Sequence, residues 1–218
     1  MEKHVVVIYP HPDDESFGAS GTITKFRQEG VPVTYLCGTL GEMGRNMGNP
    51  TFANRETLPE FRKNELIDAC NVLDVELQML GYRDKTLEFE SKNEVAEHLL
   101  GILDELKPSL VITHYPEHAV HPDHNALGAA AIEAVGRIDE NSRPTVWAQA
   151  ITRTHQVDLG KPDVEIDIAP YFKKKMEAIL AHQSQAQGVL GSMSDTSDDM
   201  EEIAKERLGN EFFYTWKY

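Results

Sequence analysis

Short apolar runs alternate with segments of helical periodicity along this chain. The runs at residues 4–8, 33–37, 75–80 and 110–113 have the length and the β-branched content of strands, and further runs occur at 146–151 and 164–168. Between the runs, apolar residues recur at helical spacing, beginning with Ile23 and Phe26. The pattern predicts repeated strand–helix units, that is, an α/β fold that is Rossmann-like, with a mostly parallel sheet and helices on both faces.

Capping signals locate the predicted helices. The first predicted helix ends at Gly30, and the last begins at Pro170 and ends near residues 182–185. Ser91 and Glu94 form a capping box at the start of the helix that precedes the fourth strand. Thr57 caps a helix with Pro59 in its first turn. The buried face predicted for that helix consists of Phe61, Leu66, Ile67, Cys70 and Leu73.

Two segments show neither the apolar pattern of a strand nor that of a helix. Residues 38–56 follow a predicted strand end, and a loop of this length inside a domain is typical of a functional wall or lid, with a surface excursion as the alternative. Near the end, an acidic run at 195–202 indicates a solvated helix start, and aromatic residues at 212–216 are expected to pack on the domain or on a neighbouring subunit.

Two histidine- and aspartate-containing clusters follow predicted strands. The sequence HPDDE comes directly after the first strand, and HPDH follows the fourth. Because the carboxyl ends of parallel strands share one edge of a sheet, His11, Asp14 and His124 can converge on one ion and leave a fourth tetrahedral position open for water. Either cluster alone could be a turn or a helix cap, but their matching positions favour a catalytic metal site. Pro122 fits the first helical position, with His121 as N-cap.

The same segments resemble a known family. The strand followed by HPDDE, with HPDH later, is similar to the LmbE-like, or PIG-L, family of zinc-dependent N-acetylglucosaminide deacetylases. The resemblance extends from about residue 4 to about residue 185. It is closest to the bacillithiol-biosynthesis deacetylases, in particular the second bacillar paralogue, through the segments TLGEMGRNMGNP, FANRETLPEFRKNEL, GYRDKTLEFE and THYPEHAVHPDH.

The resemblance implies an LmbE-like fold and a bound Zn²⁺, or another divalent ion such as Fe²⁺. It also places Arg62 where the family has a substrate-contacting arginine, whereas sequence alone suggests a solvated helical arginine. A guanidinium suits a substrate carboxylate, because two parallel hydrogen bonds fix its orientation. The final predicted helix ends in a His-x-Ser-Gln pattern that also occurs in the family, and to which we assign no catalytic role.

Amide hydrolysis requires an activated water, stabilisation of an oxyanion and a proton for the departing amine. Asp13 adjoins a predicted ligand without being needed as one, so it is the candidate general base. His121, if protonated, could stabilise the oxyanion or supply the proton, and Asp123 would orient His121 and favour its charged form. The residues leave open which of Asp13 and His121 protonates the amine.

Three functions follow from this chemistry. The first is removal of the acetyl group from a GlcNAc-type substrate, by resemblance GlcNAc-malate, in bacillithiol biosynthesis. The second is an amidase that cleaves bacillithiol S-conjugates with the same metal site. The third is a metal-binding protein without turnover, which Asp13 and His121 disfavour because binding alone would need only ligands.

Composition limits the partners. The 218 residues fit a single domain over 1–218, with a helical and aromatic tail from about 186. A net charge of −15 argues against nucleic acid and anionic membranes as partners. Cys37 and Cys70 are predicted to be reduced core thiols, and no leader or membrane span is seen, so we expect a cytoplasmic protein, with a homo-oligomer left open.

Overall fold

A computed structural model describes residues 2–191 and 208–218 of the chain, and in this part the strands form one seven-stranded sheet. The order across the sheet is β3-β2-β1-β4-β5-β7-β6. The strands are β1 Val5–Tyr9, β2 Val33–Cys37, β3 Glu76–Met79, β4 Leu110–His114, β5 Thr145–Gln149, β6 Val164–Asp167 and β7 Asn210–Thr215.

The first five strands are parallel. From β1 the chain continues to β2 and β3 on one side, whereas β4 and β5 pair on the other side. This reversal of strand order next to β1 opens a crevice at the carboxyl ends of β1 and β4, which is where Rossmann-like sheets bind ligands. The predicted α/β fold with a mostly parallel sheet is confirmed.

Helices cover both faces of the sheet. Residues of α2, α3 and α7 pack against Val5, Val7 and Tyr9, while α4 and α5 pack against Val6 and Ile8. This division follows from the alternation of side chains along a strand that is buried on both faces. The helices are α1 Asp14–Gly18, α2 Ser20–Gln28, α3 Leu58–Leu73, α4 Lys92–Leu106, α5 Pro122–Gly136, α6 His155–Leu159, α7 Phe172–Ala181 and α8 Gln183–Gly191, with short 3₁₀ turns at Leu87–Phe89 and Ala169–Tyr171.

The predicted buried face of α3 is partly wrong. Phe61 and Ile67 are 41% and 37% exposed, whereas Arg62 and Glu65 are buried. The helix turns these two charged side chains inward because each finds polar partners there, as described below. Phe61 instead packs edge-on against Phe52 of the long loop, with ring centroids 5.3 Å apart.

The aromatic segment near the end is a strand of the sheet, which the sequence pattern did not predict. β7 runs antiparallel to both β5 and β6. Phe213 is buried against Trp147, with ring centroids 5.7 Å apart. Of the two expected positions for these aromatic residues, packing on the domain is confirmed. The acidic run at 195–202 lies outside the described residues.

The N-cap of α4 and the two cysteines agree with the sequence-based predictions. Ser91 is the N-cap of α4, and its hydroxyl accepts a hydrogen bond from the Glu94 amide. Cys37 and Cys70 are both buried and free, as expected. Within residues 2–191 and 208–218, none of the helices combines the length and the apolar character that a membrane span requires.

Candidate active site

The first cluster lies in the turn between β1 and α1. The apolar strand ends at Tyr9, and the chain then forms a tight loop in which the His11 amide donates to Asp14 Oδ2 at 2.9 Å. Asp13 has a φ of 101°, in the region that non-glycine residues rarely adopt. Such a conformation persists only where surrounding contacts enforce it, and it occurs frequently at functional sites.

The second cluster forms the N-terminus of α5. His121 is its N-cap and Pro122 its first residue, as predicted. His124 in the first turn extends toward the β1 loop, and its Nε2 lies 3.1 Å from His11 Nδ1. The topology of the sheet therefore brings the two motifs together across the crevice between β1 and β4.

The predicted ligand atoms form a compact triangle. Asp14 Oδ2 lies 3.4 Å from His11 Nδ1, the other oxygen Oδ1 lies 3.3 Å from His124 Nε2, and the two ring nitrogens are 3.1 Å apart. Atoms bound about 2.0–2.1 Å from a tetrahedral zinc are themselves about 3.4 Å apart. The three donors therefore have a spacing that fits one such ion.

Hydrogen bonds behind the two imidazoles indicate their tautomers. His11 Nε2 lies 3.1 Å from Asp84 Oδ1, and His124 Nδ1 lies 3.1 Å from the Ala119 carbonyl oxygen. Each of these nitrogens is therefore an N–H donor of its ring, and the opposite nitrogens, His11 Nδ1 and His124 Nε2, face each other at 3.1 Å. Two nitrogens at this distance need a proton or a metal cation between them, which is a second reason why the residues fit a metal.

The charge around His11 gives a third reason. Carboxylates of Asp14, Asp84 and Asp123 all lie within 3.4 Å of its ring nitrogens. Burial acts to lower the pKa of His11, but these carboxylates outweigh it and raise that pKa well above its usual value. A concentration of buried carboxylates is costly unless a cation compensates them.

The Asp14 carboxylate is held in its charged form. Burial acts to raise its pKa, but His124 and His11 outweigh burial and hold the pKa well below the usual range. An ionised carboxylate is the form that ligates a divalent ion. Asp14 therefore combines the position and the charge state of a ligand, although ligation itself stays a prediction.

Asp13 has a different environment from Asp14. Its Oδ2 accepts a hydrogen bond from Arg62 Nη2 at 3.2 Å and belongs to none of the donor groups that surround the candidate ion. Burial raises the pKa of Asp13 to about 6, against the lowering effect of Arg62. Adjacent carboxylates with opposite pKa shifts are suited to different roles, one as ligand and one as base.

Arg62 is buried, although sequence alone suggests a solvated helical arginine. Its side chain is 5% exposed, and besides Asp13 its guanidinium donates to the carbonyl oxygens of Pro12 and Gly41. A contact with substrate would require these hydrogen bonds to rearrange. The predicted grip on a substrate carboxylate therefore stays a prediction, and the contacts present are those of a residue that holds Asp13.

His121 differs from expectation in its charge state. Its Nδ1 accepts a hydrogen bond from the Asp123 amide at 3.1 Å, which leaves Nε2 as the N–H donor of a neutral ring. Burial lowers the pKa of His121, and His11 and His124 lower it further. One ring nitrogen of His121 lies within 4.8 Å of donor nitrogens of His11 and His124, so the ring borders the candidate ion.

The Asp123 carboxylate does not form the hydrogen bond to His121 that we expected from the sequence. Asp123 Oδ2 accepts from the Lys85 amide at 2.6 Å and lies 3.4 Å from His11 Nε2. The hydrogen bond between Asp123 and His121 runs through the backbone amide of Asp123, because the first turn of α5 directs its side chain toward the loop after β3. The carboxylate therefore orients His11 and not His121, although its charge acts to raise the pKa of His121 against the larger effect of burial.

Sequence reasoning assigned no role to Asp84 or His114. Asp84 follows β3 in the segment GYRD, and its Oδ2 also accepts from the Met43 amide of the long loop at 2.8 Å. His114 ends β4, is buried, and stacks on His124 with ring centroids 4.1 Å apart. Both lie at carboxyl ends of parallel strands, and this position was the available signal.

The loop after β2 forms a wall of the site. This is the functional alternative for residues 38–56, and not the surface excursion. The first part of the loop contributes the Gly41 carbonyl to Arg62 and the Met43 amide to Asp84. Farther along, the Met47 amide donates to the Ser184 carbonyl at 2.7 Å. The loop thus connects the site to the beginning of α8.

Comparison with known proteins agrees with this geometry. Residues 6–135 match the family model described as PIG-L, GlcNAc-PI de-N-acetylase. The chain belongs to the PIG-L family. It is an N-deacetylase of that family, whose members are metal-dependent.

Two relatives align over their full or nearly full lengths. Probable N-acetyl-alpha-D-glucosaminyl L-malate deacetylase 2 of Bacillus cereus is 48% identical over 219 residues, covering 100% of both chains. The protein of the same name from Bacillus subtilis is 48% identical and covers 100% of this chain and 99% of its own. Among solved structures, N,N'-diacetylchitobiose deacetylase from Pyrococcus horikoshii superposes with a TM-score of 0.75 at 26% identity, covering 99% of this chain and 84% of that one.

Proposed function

We propose that this PIG-L deacetylase removes the acetyl group of GlcNAc-malate in bacillithiol biosynthesis. Two relatives at 48% identity over the whole chain carry a name with this substrate. A zinc ion held by His11, Asp14 and His124 is part of the proposal, supported by donor atoms 3.1–3.4 Å apart. A cytoplasmic location is the third part, supported by two buried free cysteines.

The observation that favours catalysis over simple metal binding is the separation of roles between adjacent aspartates. Asp14 faces the two histidine donors, whereas Asp13 faces Arg62. A divalent ion held by these residues would lower the pKa of a bound water to about 7 and would polarise the amide carbonyl. Asp13, whose pKa burial raises to about 6, is matched to accept a proton from the attacking water near neutral pH.

We assign stabilisation of the oxyanion to His121. As a neutral ring with a free Nε2–H, it donates a hydrogen bond to the developing oxyanion without needing to be charged. Asp13, protonated after the first step, then returns its proton to the departing amine. Asp123 acts indirectly, since its carboxylate borders His11 and orients that ring together with Asp84.

Side-by-side product analysis tests the substrate. Zinc-loaded protein is incubated separately with GlcNAc-malate and with a bacillithiol S-conjugate, and the products are identified by mass spectrometry. We expect acetate and the free amine from GlcNAc-malate at a much higher kcat/KM than cleavage of the conjugate. Preferential cleavage of the conjugate would assign the chain to the amidase alternative, and absence of both reactions with stoichiometric zinc would refute the proposal.

A further inference from the structure

A second acid–base pair lies directly behind the site. Glu15 Oε1 and His182 Nε2 are 2.6 Å apart, and both side chains are 0% exposed. Ser16 Oγ donates to the same Glu15 oxygen, whereas His182 Nδ1 has no hydrogen-bond partner among the described residues. Nothing in the deacetylation chemistry above uses either group. Such a buried pair persists only with good geometry, because leaving one partner uncompensated is strongly destabilising.

The pair is connected to Asp13 through the backbone. The other oxygen of Glu15, Oε2, accepts a hydrogen bond from the Asp13 amide at 3.0 Å. Asp13 is the residue with a φ of 101°. One end of this residue is thus fixed by Glu15 at its amide, and the other end is fixed by Arg62 at its carboxylate.

The position of His182 is itself determined by the helices that meet there. His182 lies between α7 and α8, and its carbonyl accepts from the amides of Gln185 and Ala186. Two residues later, the amide and hydroxyl of Ser184 donate to the carboxylate of Glu65 on α3, at 2.7 and 2.6 Å. These contacts leave the imidazole little freedom to move away from Glu15.

We propose that Glu15 and His182 are positioning residues that hold Asp13 in its strained conformation, with its carboxylate directed at the reacting water. The inference rests on the proposed function, in which Asp13 is the base. It assigns a role to the histidine of the His-x-Ser-Gln segment that does not require contact with substrate or metal. A misplacement of about 1 Å in such a group can reduce turnover about 10²-fold.

The chain contains a matched pair for comparison. Lys175 and Glu211 are 1% and 2% exposed, and Lys175 Nζ lies 2.7 Å from Glu211 Oε1. Glu211 also accepts from the amides of Gly21 and Thr22 in the first turn of α2. This pair is nearly as buried as Glu15–His182, but Glu211 bonds amides of α2, Lys175 also donates to the Phe17 carbonyl of α1 at 2.7 Å, and neither residue bonds Asp13.

The test uses His182→Ala, His182→Gln and the control Glu211→Gln in the full-length, zinc-loaded protein. We measure zinc content, kcat and KM for GlcNAc-malate, the unfolding midpoint, and the backbone amide resonance of Asp13 in ¹⁵N-labelled protein. For His182→Ala we expect stoichiometric zinc, an unchanged KM, a shifted Asp13 resonance and a kcat lowered about 10²-fold. His182→Gln should recover part of the kcat, because the amide can donate to Glu15. Glu211→Gln should lower only the unfolding midpoint.

Several outcomes would overturn the inference. An unmoved Asp13 resonance with normal kcat in His182→Ala would remove any positioning role, and a raised KM at constant kcat would indicate a substrate contact instead. If His182→Ala does not fold, Glu15→Gln provides the same readouts at nearly constant volume, with the same shift expected. If the wild type releases no acetate, the proposed function fails, and the Asp13 resonance still decides whether the pair positions that residue.

Discussion

Side chains of the cluster at residues 11–15 are held by residues far along the chain, whereas the two histidines of the cluster at 121–124 are held mainly by their own neighbours. Asp13 bonds Arg62 across 49 residues, His11 bonds Asp84 across 73, and Glu15 bonds His182 across 167. In the second cluster, His121 bonds an amide two residues away, and His124 a carbonyl five residues away. A helix N-terminus positions its first turn locally, but the β1 loop depends on the rest of the fold.

This difference matters for function because Asp13, the proposed base, belongs to the cluster that depends on distant residues. We expect substitutions at a distance to disable Asp13, while the α5 cluster should respond mainly to changes in its own residues.

Removing a ligand should have the largest effect and should be similar in both clusters. In His11→Ala and His124→Ala we expect loss of bound zinc together with loss of measurable deacetylation, because each imidazole supplies one corner of the donor triangle. Metal analysis after dialysis and an acetate-release assay measure both. Stoichiometric zinc in either variant would exclude that residue as a ligand.

Asp13→Asn should separate catalysis from binding. The amide cannot accept the proton of water, so we expect kcat to fall about 10²- to 10⁴-fold with zinc content unchanged. The variant keeps the side-chain volume, which makes the unfolding midpoint a control for the fold. Loss of zinc would make Asp13 a ligand, and normal turnover would leave it as a turn residue.

Arg62→Ala should impair the proposed base, Asp13, although Arg62 lies on a different element, α3. Its guanidinium is directed at Asp13 and two backbone carbonyls, so we expect kcat/KM for GlcNAc-malate and for plain GlcNAc to fall by similar factors, about 10²-fold. Arg62→Lys should restore little, because an ammonium cannot reproduce a planar contact with three acceptors. A selective loss on GlcNAc-malate would instead support the predicted carboxylate grip.

Asp84→Asn should weaken the metal site from the loop after β3. The carboxylate fixes the tautomer of His11, and loss of such support lowers metal affinity about 10- to 100-fold. Zinc affinity is measured by competition with a chelating dye, and Glu211→Gln is the control for loss of a buried carboxylate elsewhere. Unchanged affinity in Asp84→Asn would show that His11 is oriented without it.

Gly41→Ala should have the smallest effect on activity. A Cβ at Gly41 would lie 1.9 Å from Arg62 Nη1, and its φ is +60°. Gly81 has a similar φ of +80° but no atom within 4 Å of a Cβ, so Gly81→Ala is the matched control. We expect both variants to lose about 1–2 kcal/mol of stability from backbone strain. Only Gly41→Ala should lower kcat, by about tenfold through a displaced guanidinium. Equal kcat in the two variants would contradict the dependence of Asp13 on Arg62.

Local sequence patterns were enough to predict the architecture and the residues that meet at the crevice. Apolar runs placed six strands, and buried parallel strands leave a strong pattern because both of their faces must be apolar. The two motifs follow β1 and β4 along the chain, so the topology of a parallel sheet brings His11, Asp14 and His124 to one edge. Local chemistry at the helix start likewise predicted His121 as the N-cap of α5.

The contacts that support the site depend on packing between distant segments of the chain. Periodicity assigned Phe61 and Ile67 to the buried face of α3, but Arg62 and Glu65 are buried because Asp13 and Ser184 provide polar partners from other segments. The strand β7 was missed since its short aromatic run is indistinguishable in sequence from a packed tail. The Glu15–His182 contact joins residues 167 apart, and no local pattern encodes such a pairing, because it depends on how the helices pack on the sheet.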